Sequence, residues 1–186
     1  MVVLTDGLFD GLEFDAARTG NHRNAAQRMS HLAATAREEG GMSRAEAYLR
    51  AGEQWLLADE PAAAADGFRR ALADGGRTFV DPRVPLARAI FLLDRPREAR
   101  ALIRQLEAEG RHDPRACDLV AELLVEQSDL AAALDWATAG VELCMLRDDR
   151  TELRLLLSLR YRIRNDLGLR EDNYDRLLDE AETPLQ

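Results

Sequence analysis

The sequence predicts an all-α chain, an array of antiparallel helix hairpins, and three observations carry that expectation. Ala and Leu dominate an apolar fraction of 46%, whereas aromatic residues make up only 5%. That mixture suits helix packing, since strands draw on Val, Ile, Tyr and Thr. Gly and Pro breakers cut the 186 residues into segments of helical length, and none shows sustained period-2 alternation of β-branched residues. Small residues also recur with one period: Gly52, Ala87 and Ala121 are separated by 35 and 34 residues.

Taken in order, residues 1–20 are acidic, with Asp6, Asp10, Glu13 and Asp15, and Gly-spaced, which predicts a loosely held leader. With no early basic residue this stretch is neither a secretory signal nor a transit peptide. Residues 21–42 predict an N-terminal helix over His22 to Glu39, the second half of a worn repeat, stopped at Gly40-Gly41. Ser43 and Glu46 have capping-box spacing, so the next helix starts there. Glu60-Pro61, Asp81-Pro82, Arg95-Pro96 and Asp113-Pro114 read as helix starts. In them, or just before them, an acidic residue (Asp59, Asp81, Asp94, Asp113) can accept from orphan N–H groups, and Pro fits the first turn. The turn before each second helix of a pair recurs as Glu60-Pro61, Arg95-Pro96 and Asp129-Leu130. Gly75-Gly76, Gly110 and Gly168 read as stops. Arg147 to Asn165 predicts one more helix, with Leu153, Leu156, Leu157, Leu159 and Ile163 on its apolar side, and Asp172 to Ala181 a short closing one. Residues 147–186 are thus expected to cap an array that exposes apolar surface at its end.

The repeat itself occupies 43–146, as three copies of about 45–78, 80–112 and 114–146. The first reads Tyr48-x2-Ala51-Gly52-x2-Trp55, then Ala64-x3-Phe68-x2-Ala71-Leu72. A small Gly52 lets the paired helix approach, and Trp55 and Phe68 fill the space between turns. The second copy has Leu86-Ala87, Ile90, Ile103 and Leu106 at those places, and the third Val120-Ala121, Leu124, Trp136, Ala137 and Gly140. Ala64, Ala99 and Ala133 keep the same 35 and 34 spacing. This pattern resembles the tetratricopeptide repeat. The resemblance implies a right-handed α-solenoid whose first helices line a concave side where a partner's peptide or helix lies.

Carried over to this sequence, the resemblance places Glu46, Leu49, Arg50 and Glu53 on that side in the first copy, Asp81, Val84, Arg88 and Phe91 in the second, and Arg115, Asp118, Glu122 and Glu126 in the third. The expected function is a protein-interaction module or adaptor, with Arg50, Arg88 and Arg115 giving charge-assisted contacts to a partner protein. A second reading is an oligomerisation element associating through the terminal helices. A third, less favoured, is a regulatory nucleic-acid role through Arg147, Arg150, Arg154, Arg160 and Arg164, which fall within about 140° of a helical wheel; solvated pairing with Asp148, Asp149 and Glu152 is the plainer account of that face.

Several classes are disfavoured. A net charge of −9 repels phosphate backbones overall. No apolar run approaches the roughly 20 residues of a membrane span. Cys117 and Cys144 are too few for a disulfide framework and read as buried thiols, which, with no targeting segment, points to the cytoplasm. His22, His31 and His112 lack metal-ligand spacing, so no metal or cofactor is expected. Carboxylate runs sit at helix ends and no phosphate-cradling loop follows a strand, so catalysis is not expected either. Every basic residue other than His is Arg, and the Ala-rich composition points to a GC-rich, actinobacterial coding sequence.

Overall fold

The computed structural model describes residues 2–36, 38, 41–110 and 113–182, with side chains to residue 178. These form ten helices: α1 (Asp6–Thr19), α2 (His22–Thr35), α3 (Arg44–Leu57), α4 (Pro61–Asp74), α5 (Arg83–Leu92), α6 (Pro96–Glu109), α7 (Pro114–Glu126), α8 (Leu130–Arg147), α9 (Arg150–Asp166) and α10 (Asn173–Glu182). Among the described residues there is no strand, only an isolated bridge at Val3. The chain divides into two compact units, Met1–Gln105 and Leu106–Gln186, with the boundary inside α6.

In the first unit, the predicted nesting of α3 on α4 is present. Gly52 is buried, and a Cβ there would lie 2.4 Å from the Phe68 ring. From the facing side Gly67 brings α4 to within 3.3 Å of the Gly52 Cα, counted from the position of an added Cβ. Two glycines back to back thus let the helices approach until Phe68, with no exposed surface, covers the seam. Burying that ring stabilises by about 2–3 kcal/mol. Ala45 and Leu49 near the start of α3 meet Ala71 near the end of α4, which fixes the pair as antiparallel. Trp55 is only half buried, and its indole N–H donates to Ser30 Oγ of α2 (3.2 Å), so it bridges successive pairs. The marker alanines Ala64, Ala87 and Ala99 are completely buried.

The predicted leader at 1–20 is instead a docked helix. Thr5 Oγ1 accepts from the Leu8 N–H (3.3 Å), and Gly20 ends the helix in the left-handed region at φ 71°. Leu4, Phe9 and Leu12 join Met29, Ala33, Ala47 and Ala51 in one core. The apolar side at 9, 12 and 16 outweighs the flexibility that the glycines would confer. Helix α1 therefore stands before α2, making the N-terminal segment a pair. Helix α2 stops at Thr35; Glu39, where the sequence puts its end, lies outside the described residues.

In the second unit, Gly140 plays the part of Gly52. A Cβ there would lie 2.8 Å from Leu156 of α9 and 2.9 Å from Cys117 of α7, so α8 is squeezed between its neighbours. Ala121, Ala133, Ala137, Cys117 and Cys144 are fully buried, and neither cysteine is in a disulfide. Trp136 is 3% exposed. Helix α8 runs on to Arg147, so the next helix begins at Arg150, three residues later than the sequence indicates.

The turns between paired helices, which recur in the sequence before Glu60-Pro61, Arg95-Pro96 and Asp129-Leu130, share one backbone form. Asp59, Asp94 and Ser128 all have positive φ (57°, 56° and 59°). At each, the following N–H reaches back five residues: Glu60 to Trp55 O (2.9 Å), Arg95 to Ile90 O (3.1 Å) and Asp129 to Leu124 O (2.9 Å). These are Schellman stops, which satisfy carbonyls left without partners at a helix end. Asp59 and Asp94 therefore close the preceding helix; the sequence had assigned them to opening the next. Neither Glu60 nor Asp129 makes a side-chain cap bond, whereas Asp113 accepts from Arg115 N–H (3.1 Å) as expected. The same stop recurs at Gly168, where Leu169 N–H reaches Arg164 O (3.0 Å).

Candidate functional site

A cleft of about 910 Å³ opens in the first unit. Helix α1 contributes Asp6 and Glu13, α3 contributes Glu46, Leu49, Arg50, Glu53 and Leu57, the connection at 77–80 contributes Arg77 and Phe79, and α5 contributes Arg88. On α3 these residues recur at three- and four-residue intervals, so one helix face points into the space. The connection is tied down: Ser43 Oγ donates to Arg77 O (2.5 Å), and Phe79 N–H donates to Glu46 Oε2 (2.8 Å). Ser43 accepts from Glu46 N–H (2.9 Å), as the capping-box spacing predicts, while the Glu46 carboxylate turns to the 77–80 connection.

Arg50 is the charged centre of one wall. Its Nε and Nη2 donate to the two Glu13 oxygens (2.7 and 2.6 Å), Nη2 also to Asp10 (2.6 Å), and Asp6 lies 3.5 Å from Nη1. Its guanidinium also stands over the Phe9 ring, 5.5 Å from the centroid. Burial works against its charge, but the Glu13 and Asp10 hydrogen bonds outweigh it and raise the pKa further. The sequence reading gave Arg50 to a partner; the structure gives it to α1.

Glu53 behaves differently. It is open to the cleft yet surrounded by protein on its other sides, and this desolvation, followed by repulsion from Glu13 and Glu46, pushes its carboxyl up to about 7 against the opposing pull of Arg50. Leu57, one turn further along α3, is 61% exposed and Phe79 69% exposed. The site thus combines crowded carboxylates with two apolar side chains standing in water.

Of the twelve residues expected on an inner side, the cleft gathers Glu46, Leu49, Arg50, Glu53 and Arg88. Leu49 is 2% exposed and supplies only floor, packed with Ala45 and Ala71. Val84, 4% exposed, is a core residue and offers no docking point. Both were placed outside the core because helical spacing alone cannot tell a rim position from a buried one. Asp81 opens α5 by accepting from Arg83 N–H (2.9 Å) and from its guanidinium, and Phe91 is half buried; neither lines the cleft.

Arg115, Asp118, Glu122 and Glu126 lie on α7, in the second unit. There desolvation, with Glu122 and Glu152 nearby, raises Asp118 to about 6, opposed by Arg162. The Arg-rich face of α9 is partly consumed inside that unit. Arg160 donates to Asp172 (3.0 Å), Asp175 (3.3 Å) and Thr138 (3.0 Å), and Arg164 to Asp175 (3.0 Å). The partners of Arg160 and Arg164 are thus Asp172 and Asp175 of the α10 region, where the sequence proposed Asp148, Asp149 and Glu152; the exposed Arg150–Asp148 pair (3.6 Å) matches that expectation.

Asp6, Asp10, Glu13, Leu57, Arg77 and Phe79 were not read as site residues. A signal existed for the first three: Asp6, Asp10 and Glu13 are spaced by four and three residues, one face of a helix, behind a Thr5 cap. Nothing local marks Arg77 or Phe79, whose position depends on bonds to α3. His22 Nδ1 lies 3.0 Å from Gln54 Oε1; His112 lies outside the described residues. Among the described residues no group of His, Cys, Asp and Glu could hold a metal, and no helix is long and apolar enough to cross a membrane.

No family model matches the chain. No curated protein matches it. Among solved structures it is similar to YrrB, described as a TPR protein with an unusual peptide-binding site, at a TM-score of 0.44 and 18% identity over 81% of this chain and 82% of that one. No residue role passes from YrrB to this chain. The Gly52 and Gly67 seam, the buried Ala series and the Schellman stops at 59, 94 and 128, which are 35 and 34 residues apart, show helix pairs repeating with the period of the sequence pattern.

Proposed function

We propose that the chain is a non-catalytic protein-interaction module that takes a segment of another protein in the cleft walled by α1, α3 and α5. The observation that carries this is the cleft: about 910 Å³ of open space on one face of packed helices, with Leu57 and Phe79 exposed in its lining. Helical walls fix the contact groups before the ligand arrives, which lowers the ordering cost of association. A cytoplasmic setting fits two buried thiols. Panning a random peptide display library on the purified chain tests the reading. Selected peptides should bind the wild type and lose at least about tenfold in affinity to Phe79→Asp, about 1.4 kcal/mol. Peptides that bind both proteins equally would place the docking surface elsewhere.

A second reading is self-association through the second unit, where Met145, Leu146 and Leu155 are 50%, 82% and 54% exposed. Light scattering separates the two, since a monomer at all concentrations removes it. The nucleic-acid reading is weaker, because Arg160 and Arg164 already serve Asp172 and Asp175.

A further inference from the structure

Charge inside the cleft is unevenly used. Four carboxylates (Asp6, Glu13, Glu46 and Glu53) and three guanidinium groups (Arg50, Arg77 and Arg88) line it, and Asp10 adds a further carboxylate on Arg50. Arg50 is held by the three acids of α1. Glu46 accepts the Phe79 N–H. Among the described residues Glu53 has no hydrogen-bond or ion-pair partner, although it faces the open volume. Leu57 sits four residues on along the same helix, and Phe79 lies in the same lining. The arrangement is that of a negative group beside an apolar shelf.

We propose that the occupant of this cleft is a peptide segment that sets a cationic side chain, guanidinium or ammonium, against Glu53 and lays a neighbouring apolar side chain on Leu57 and Phe79. This rests on the reading of the cleft as a docking site and names the chemistry that fills it. An anionic segment would meet Glu13, Glu46 and Glu53 together, with Arg50 already neutralised by α1. A cation relieves that crowding and adds a charge-assisted hydrogen bond in a partly desolvated place.

A proton linkage follows. The charged groups that act on Glu53 are Glu13 from α1 and Glu46 and Arg50 from α3, and Asp6 from α1, Arg77 from the connection and Arg88 from α5 share the lining with it. In the empty cleft Glu53 is partly protonated near neutral pH, and a cation stabilises its charged form, so docking expels a proton. Affinity should therefore rise about tenfold between about pH 6 and about pH 8 and level off above.

The test uses the full chain and fluorescein-labelled peptides of alternating Leu and Arg, with counterparts carrying Gln or Glu in place of Arg, read by anisotropy at both pH values. The Arg peptide should bind best and about tenfold tighter at the higher pH. Glu53→Gln should weaken it and abolish the pH dependence; because this change removes one of three crowded carboxylates, folding should survive, which circular dichroism checks. Equal binding of the Gln peptide, tighter binding of the Glu peptide, or an Arg-peptide affinity indifferent to pH and to Glu53→Gln would overturn the inference. No binding of the Arg peptide at about 1 mM would overturn it too. The docking reading is judged separately, by whether library-selected peptides respond to Phe79→Asp.

Discussion

Both ends of the chain use one device, with different consequences. In the first unit Arg50 of α3 grips Asp6, Asp10 and Glu13 of α1 and stands over Phe9. In the second, Arg160 of α9 grips Asp172 and Asp175 and stands 4.7 Å from the centroid of the Tyr174 ring, with Arg164 as a second cation. Each arginine fastens a terminal helix through carboxylates and an aromatic face. At the C-terminal end two cations meet two carboxylates, and Arg160 and Asp175 are both closed off from water at 5% side-chain exposure. At the N-terminal end one cation meets three carboxylates, two of them, Asp6 and Asp10, 74% and 66% exposed, with further acids beyond. The first is a sealed lock; the second leaves negative charge facing an open cleft. Charge balance, more than the identity of the arginine, decides whether such a contact ends as structure or borders a site.

The widest separation of the two should come from deleting an acid at each end. Asp175→Ala leaves two buried arginines to share Asp172 alone and removes the acceptor of the Asp172 N–H, so unfolding should come about 3 kcal/mol sooner, with α10 released to limited proteolysis. Asp10→Ala removes an exposed partner and should cost less than about 1 kcal/mol. Equal losses in denaturant titrations would erase the distinction between sealed and open contacts.

Next in size, Gly52→Ala should cost about 1–3 kcal/mol, because the added methyl strikes the buried Phe68 ring. The melting temperature reports it, and a loss within error would mean that α3 and α4 do not nest there.

The smallest effects are pH-dependent and opposite in sign. Hydrogen bonding from Arg160 holds Asp172 down at about 2, against an unperturbed 3.8. Its stabilisation is complete above that unperturbed value and is lost as pH falls through it toward 2. Glu53 is raised from 4.5 to about 7, so the folded state binds the extra proton and stability declines as pH rises between those values. Asp172→Asn should therefore lower the melting temperature at neutral pH and converge on wild type near pH 2. Glu53→Gln should raise it at about pH 8 and leave it unchanged at about pH 4, by less than about 1 kcal/mol after solvent screening of an open head group. Curves that stay parallel at every pH would show that neither group is perturbed.

Much of the array was legible because close helix packing demands small residues at fixed places. Gly52, Ala64, Ala87 and Ala121 announce themselves by identity and spacing, and all are buried. The start of α7 at Pro114 was readable from Asp113-Pro114, a local hydrogen-bonding signal. The α1 helix was readable too, through Thr5 and the apolar side at Phe9, Leu12 and Ala16, but its acids and glycines masked it. Asp59 and Asp94 were not legible as stops, since Asp shortly before a proline reads equally well as a cap for the next helix, and only the backbone φ tells the two apart.

The candidate site divides the same way. Sequence alone determined that Glu46, Leu49, Arg50 and Glu53 share one face of α3, because 3.6 residues per turn requires it. It could not determine that Leu49 is floor, that Arg50 is taken by α1, or that the Phe79 N–H reaches the Glu46 carboxylate across 33 residues. Periodicity is a property of one helix and is written in the order of its residues. Burial, charge neutralisation and the walls of a cleft are properties of several segments at once, and exist only after those segments have packed.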